Sequence, residues 1–180
     1  YPHPQEYHYL AEALAKGQTS LLVDPSEELK QLSNPYDSSL RIQEDVYYFW
    51  DFAYYKGKYF VYFGIGPELV FYLPYFLITG THLPNPIPIM ISETFFILGV
   101  FLFFEEIVIR YYQRKIPLGL SLLLSSATIL GSGAFFIARR PDIYSVPIMM
   151  GLALTIWGLF LWLKSRQTDQ SLNCKTLFIG

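Results

Sequence analysis

The stretch that decides the fold is residues 45–80, DVYYFWDFAYYKGKYFVYFGIGPELVFYLPYFLITG. It is crowded with tyrosine and phenylalanine and carries few charges. It ends in an apolar run that two glycines, two prolines and a glutamate interrupt. Tyrosine and tryptophan at this density are typical of the membrane–water interface, where one end of the ring is dry and the other is wet. The stretch therefore predicts a segment that lies at a bilayer surface.

The composition places the chain among membrane proteins. Of its 180 residues, 52% are hydrophobic, 18% are aromatic and 16% are charged, whereas charged residues make up about 25% of a soluble domain. The net charge of -2 argues against a nucleic-acid partner, because phosphate binding needs an excess of basic residues. Cys174 is the single cysteine, which excludes an internal disulfide framework. The chain has no initiator methionine, and we expect it to be a piece of a longer protein.

Residues 1–57 form the polar part of the chain. The segment PHPQEYHYLAEALAKGQ predicts a short helix with Tyr7 and Leu14 on one face and Gly17 after its end. DPSEELKQL predicts a second short helix with Asp24 as its N-cap. SNPYDSS is typical of a turn. Such a segment suits an extracytoplasmic loop with juxtamembrane amphipathic helices.

Three apolar segments predict transmembrane helices, at about 89–109, 117–137 and 144–163, each long enough for about 30 Å of hydrocarbon. The second contains small residues suited to close helix packing. The sequence therefore predicts an all-α integral membrane protein with three parts. These are the loop at 1–57, an interfacial or re-entrant aromatic segment with a Pro-rich connector at 58–86, and the membrane helices with a cytoplasmic tail at 87–180.

The basic residues predict the orientation. One set follows the first span and another follows the third, so two crossings put both sets on one side, which the positive-inside rule makes cytoplasmic. The segment ARRPD at 138–142 then lies outside. If residues 58–79 cross the membrane, residues 1–57 are cytoplasmic; if they do not, residues 1–57 lie outside. We favour the second arrangement, because interrupted backbone makes a poor span.

Three stretches carry a resemblance: QEYHYLAEALAKGQ, WDFAYYKGKYFVYFGIGPELVFYLPY and ARRPDIYSV. Together they resemble the N-terminal part of a bacterial integral-membrane glycosyltransferase of the GT-C type, close to glycosyltransferase-39-like or mannosyltransferase-like proteins. The resemblance implies transfer of a sugar from a polyprenyl-phosphate donor to an acceptor at the outer face of the membrane. It also implies a multi-pass protein of the bacterial cytoplasmic membrane, with further helices of the same protein as partners.

The resemblance also implies roles for particular residues. Glu6 matches an acidic position that serves as the catalytic base, and Lys58 lies near a lysine that contacts the donor phosphate. Asp142 matches a second external acid that is sometimes linked to a divalent metal. Under the favoured orientation, Asp51 and the Arg139–Arg140 pair share the outer face with these groups, which makes Asp51 a second catalytic candidate and the arginines candidates for substrate phosphate.

Glu68 is a further candidate for substrate binding, because ionisable residues at membrane depth are costly and often functional. Each candidate also has a structural interpretation. Glu6 would be a solvated acid in a first turn, Lys58 an interfacial side chain and Asp142 a helix cap. His3, His8 and His82 show no metal-ligand spacing.

Two functions stay open on the sequence. One is the membrane glycosyltransferase, with the isolated chain expected to be inactive. The other is a non-catalytic membrane protein, either a transporter piece or a packing subunit, with a discontinuous helix at 58–79.

Overall fold

The computed structural model describes residues 6–49 and 51–166. The chain divides into two compact units between Leu83 and Pro84, and each is described by itself. The predicted tail after residue 166, with Cys174, lies outside the described residues.

The first unit combines short helices with one β-hairpin. In chain order its elements are α1 (Glu6–Ala15), α2 (Glu27–Gln31), α3 (Ser38–Gln43), β1 (Ala53–Tyr55), β2 (Lys58–Phe60), a π-helix (Glu68–Tyr72) and α4 (Leu73–Thr79). Most of the described chain is helical, as predicted, but the hairpin makes the all-α prediction wrong in this region.

The hairpin follows from the sequence AYYKGKYF. Strands β1 and β2 are antiparallel, and Tyr55 pairs with Lys58. Lys56 and Gly57 form the two-residue turn, with φ values of 48° and 75°. Positive φ at both turn positions matches the right-handed twist of the strands. The predicted boundary between residues 57 and 58 therefore falls inside a hairpin, and the aromatic segment begins as a strand.

Two helix ends test the predictions in the polar part. Helix α1 stops as predicted: Gly17 has φ 76°, and the Gln18 N–H donates to the Ala13 carbonyl at 3.0 Å. The prediction of Asp24 as a cap is wrong. Ser26 caps α2 instead, because its hydroxyl oxygen accepts from the Leu29 N–H at 3.2 Å.

The first unit has a hydrophobic core of its own. Tyr59 lies at its centre. The centroid of its ring lies 5.5 to 6.0 Å from the ring centroids of Phe49, Phe52 and Tyr54. The Phe49 N–H donates to the Tyr59 hydroxyl at 3.2 Å. Part of the aromatic richness therefore builds a core, whose buried members are Leu10, Leu21, Leu29, Val46 and Tyr59.

The second unit is helical throughout its described part. Its elements are α5 (Pro86–Tyr112), α6 (Leu118–Gly131), α7 (Ala134–Ala138) and α8 (Ser145–Ser165). Helices α5 and α8 are long and apolar enough to cross a membrane, judged by length and composition, and they confirm the first and third predicted helices. The prediction of one continuous helix at 117–137 is wrong. Gly133 has φ 78° and separates α6 from α7.

Helices α5 and α8 pack closely around Gly99. The Phe95 and Trp157 rings stack with centroids 4.4 Å apart, and the Trp157 Nε1–H donates to the Phe95 carbonyl at 2.8 Å. A Cβ atom at Gly99 would lie 2.7 Å from Ile156 Cγ2. The two helices therefore approach as closely as they do because residue 99 has no side chain.

Candidate functional site

The site begins at the first turn of α1. Glu6 lies on the same helical face as Leu10 and Ala13, at i, i+4 and i+7, and both of these side chains are buried. The Glu6 side chain is 0% exposed. The structural interpretation of Glu6 as a solvated acid is therefore wrong, because the apolar face of the helix carries the carboxyl group into the interior.

A second buried carboxyl belongs to Glu68, which is also 0% exposed. Within the described residues, neither carboxyl has a hydrogen-bond partner on either oxygen. A buried polar group without a partner costs about 1–3 kcal/mol, so two such groups in one small unit call for a functional explanation.

Burial raises the pKa of both glutamates to about 8 from the ordinary 4.5. For Glu6 the negative charge of Asp51 is a second and smaller cause. Desolvation disfavours the charged form of a carboxyl group, so both groups are mostly protonated at neutral pH. Perturbed ionisation of this kind is characteristic of functional sites.

A stacked tyrosine pair lies beside the two glutamates. The rings of Tyr7 and Tyr72 are nearly parallel, with centroids 4.9 Å apart and an interplanar angle of 10°. Burial raises the pKa of Tyr7, and the charges of Glu6 and then Glu68 raise it further. The charges of both glutamates therefore raise the pKa of the same residue, Tyr7. The Tyr7 hydroxyl is buried and, among the described residues, has no hydrogen-bond partner.

The backbone that holds Glu68 and Tyr72 is a π-helix rather than an α-helix. The Leu73 N–H donates to the Glu68 carbonyl, five residues earlier. Pro74 follows and has no N–H to donate to the preceding turn, so the widened turn occurs where the α-helical ladder is already interrupted. Single π-helical turns are frequent at functional sites.

Asp51 is the charged group that acts on Glu6. Its φ is 65°, a left-handed conformation that aspartate tolerates better than most residues. Its Oδ1 accepts from the Tyr62 hydroxyl at 3.2 Å. The structure thus brings Asp51 close enough to Glu6 for its charge to raise the Glu6 pKa.

His8 of α1 forms a ring stack with a second histidine, His82. The two ring centroids are 4.6 Å apart, and the His8 Nε2 lies 2.7 Å from the Leu83 carbonyl oxygen. His82 Nε2 lies 3.1 Å from a carboxyl oxygen of Glu12. Burial lowers the pKa of His8. Sequence reasoning missed this cluster, since residues 74 positions apart meet only in the fold.

The predicted donor-binding residues lie on the surface. Lys58 starts β2 and is exposed. Arg139 and Arg140 are exposed in the second unit, where the Arg140 guanidinium lies 5.1 Å from the Phe136 ring centroid. Because Glu6 and Lys58 belong to the first unit, a site shared with these arginines stays a prediction.

Asp142 caps the start of α8. Its Oδ1 accepts from the Ser145 N–H at 2.9 Å and from the Ser145 hydroxyl at 2.8 Å. The structural interpretation of Asp142 as a cap is therefore correct. In residues 6–49 and 51–166, no group of three or more histidine, cysteine, aspartate or glutamate side chains is placed to hold a metal ion. The divalent metal that the resemblance implies at Asp142 stays a prediction.

The class of protein that the structure defines is a mostly helical chain with two helices suited to a membrane and a buried pair of glutamates. No family model, curated protein or solved structure matches the chain. The resemblance to GT-C glycosyltransferases therefore stays a prediction.

Proposed function

We propose that this chain forms the acid-bearing part of a membrane glycosyltransferase, in which Glu6 is the general base. The enzyme transfers a sugar from a polyprenyl-phosphate donor to an acceptor hydroxyl at the outer surface of the bacterial cytoplasmic membrane. The observation that carries the proposal is the Glu6 carboxyl, buried without a hydrogen-bond partner among the described residues.

The raised pKa suits this role. An acceptor hydroxyl must lose its proton as it attacks the sugar, and a base works best when its pKa lies near the working pH. A pKa of about 8 makes Glu6 a stronger base than a solvated glutamate. A base must also come within hydrogen-bond reach of the proton that it takes, so acceptor binding has to uncover the carboxyl.

The remaining features support a setting at the membrane. Helices α5 and α8 would hold the chain in the bilayer. The leaving group is a polyprenyl phosphate, whose charge needs positive partners. Lys58, an exposed cation of the first unit, would supply one of them.

The test is sugar transfer by the complete protein in its native membranes, with Glu6→Gln compared with the wild type. The substrates are radiolabelled polyprenyl-phosphate mannose and polyprenyl-phosphate glucose. We expect Glu6→Gln to lower transfer at least about 100-fold, the usual contribution of a general base. Glu12→Gln is the matched control, because Glu12 lies on the same helix, and it should retain transfer. Normal transfer by Glu6→Gln would contradict the proposal.

The pH dependence gives a second test. Glu6 acts as a base only when ionised, and its pKa is about 8. We therefore expect kcat/KM to rise with pH until it levels off above about pH 8. A profile that is already flat at pH 6 would mean that another group takes the proton.

One observation favours a second candidate function, a transport protein. The π-helix and α4 together form an interrupted helix that carries the buried Glu68, and broken helices with ionisable residues line the paths of many transporters. In liposomes that contain the complete protein and a pH-sensitive dye, proton-coupled flux that Glu68→Gln abolishes would support this candidate. Sugar transfer that depends on Glu6, without such flux, would support the glycosyltransferase.

A further inference from the structure

The first unit contains a cleft lined by several tyrosines, Arg41 and Asp51, and Asp51 is also the residue whose charge raises the pKa of Glu6. Its volume is about 480 Å³, within the range of small-molecule sites. The side chains that matter for recognition are Tyr36, Arg41, Tyr48, Asp51, Tyr54 and Tyr62.

Aromatic rings form much of the cleft surface. The rings of Tyr36 and Tyr54 are tilted at 56° to one another, with centroids 6.1 Å apart. Tyr36 is 61% exposed and Tyr62 is 58% exposed, so both rings are accessible to a ligand. A ring face carries partial negative charge and therefore attracts the weakly positive C–H groups of a sugar ring.

Arg41 supplies hydrogen-bond donors to the cleft. Its guanidinium lies 4.5 Å from the Tyr48 ring centroid, and its Nη1 donates to the Pro35 carbonyl at 2.6 Å. These two contacts fix the orientation of the group. Its Nε is buried and, within the described chain, has no hydrogen-bond partner. Arg41 lines the cleft and a guanidinium has five N–H donors, so a ligand oxygen in the cleft can accept from the group.

Asp51 supplies an acceptor in the same cleft. Its carboxylate already accepts from the Tyr62 hydroxyl at 3.2 Å, and an ionised carboxylate has about four acceptor positions. An arginine and an aspartate together carry no net charge. The cleft therefore suits a neutral ligand that both donates and accepts hydrogen bonds, and it disfavours an anion, which the carboxylate would repel.

We propose that this cleft binds a saccharide, with Tyr36 and Tyr54 against the sugar ring and Arg41 and Asp51 on its hydroxyl groups. The proposal rests on the proposed function, because it assigns the bound sugar as the acceptor. Asp51 belongs to the cleft and also lies near Glu6, so an acceptor in the cleft is bound close to the base.

The test measures binding and needs no transfer. The complete protein in lipid nanodiscs is titrated with methyl mannoside, methyl glucoside, methyl galactoside, maltose and cellobiose, and saturation-transfer NMR reports binding. We expect at least one of these saccharides to bind saturably, and Tyr36→Ala to weaken that binding about tenfold through loss of the ring. Tyr36→Phe keeps the ring and should bind as the wild type does.

Tyr55→Ala is the matched control, because Tyr55 is 56% exposed but does not line the cleft. It should leave binding unchanged. The proposal is overturned if no saccharide of the panel binds, or if Tyr36→Ala and Tyr55→Ala bind equally well.

Glu6→Gln separates this proposal from the proposed function. It should bind the saccharide as the wild type does while losing transfer. If it binds and also transfers normally, the general-base role of Glu6 is wrong and the cleft assignment stands. If transfer depends on Glu6 but the Tyr36 variants bind and transfer as the wild type does, the cleft assignment is wrong and the general base stands.

Discussion

Replacing Glu6 by glutamine should stabilise the protein at neutral pH, even though we expect it to lower transfer at least about 100-fold. The carboxyl is buried and its pKa is about 8 in the folded chain, against 4.5 for the ordinary group. Between these values the unfolded chain loses the proton and the folded chain keeps it. Stability that is fully present below pH 4.5 is therefore lost as the pH rises toward 8.

The size of the effect follows from the two pKa values. At about 1.4 kcal/mol per pH unit, the full difference corresponds to about 5 kcal/mol. At pH 7 the loss is about 3 kcal/mol, and at pH 5 it is less than about 1 kcal/mol. Glutamine has about the same size as glutamate and does not ionise, so the stability of the variant does not fall with pH for this reason. Its advantage over the wild type should therefore grow by about 2 kcal/mol between pH 5 and pH 7.

The assay is guanidinium unfolding of the chain in detergent micelles at several pH values between about 5 and 8, followed by near-ultraviolet circular dichroism of the tyrosines. Glu68→Gln should show the same pH dependence, because burial alone raises the Glu68 pKa. Glu28→Gln, at an exposed side chain, controls for the loss of one carboxyl. A constant difference between Glu6→Gln and the wild type across this range would refute the reasoning.

Three further predictions concern packing and caps, and the same unfolding assay measures each. Gly99→Ala should destabilise the helix pair by about 1–3 kcal/mol, because the new methyl group would lie 2.7 Å from Ile156 Cγ2; equal stability would mean that the helices separate easily. Tyr7→Phe should be neutral or stabilise by about 1 kcal/mol, since it removes a buried hydroxyl without a partner among the described residues; a clear loss of stability would reveal a partner for that hydroxyl. Asp142→Ala should cost about 1 kcal/mol through loss of the two bonds to Ser145, and an unchanged midpoint would show that the cap is dispensable.

The long helices were predictable because their signal is local. The apolar segment at 89–109 lies within α5, and the segment at 144–163 overlaps α8 except for its first residue. Length with hydropathy is sufficient to find such helices. The break at Gly133 is also visible as the sequence GSG, although small residues in an apolar segment equally suggest close helix packing. Glycine in a left-handed conformation between two helices was the correct interpretation.

The hairpin was missed although its signal is present. The segment AYYKGKYF has a lysine–glycine pair between two aromatic runs, the arrangement that predicts a two-residue turn. The density of aromatic residues favours a membrane-interface segment instead. Several of them pack around Tyr59 instead, since a loop of this size can bury a core of its own.

The sequence by itself determined the class of the chain: its apolar helices, the polar loop ahead of them and the candidate acids within that loop. These follow from composition and from patterns over a few neighbouring residues. Only the tertiary structure decided which acids are buried. Glu6 and Glu68 are 62 positions apart in the chain, yet both raise the pKa of Tyr7. Their own raised pKa values come chiefly from burial, and burial depends on distant residues that pack around a group, which no local pattern specifies.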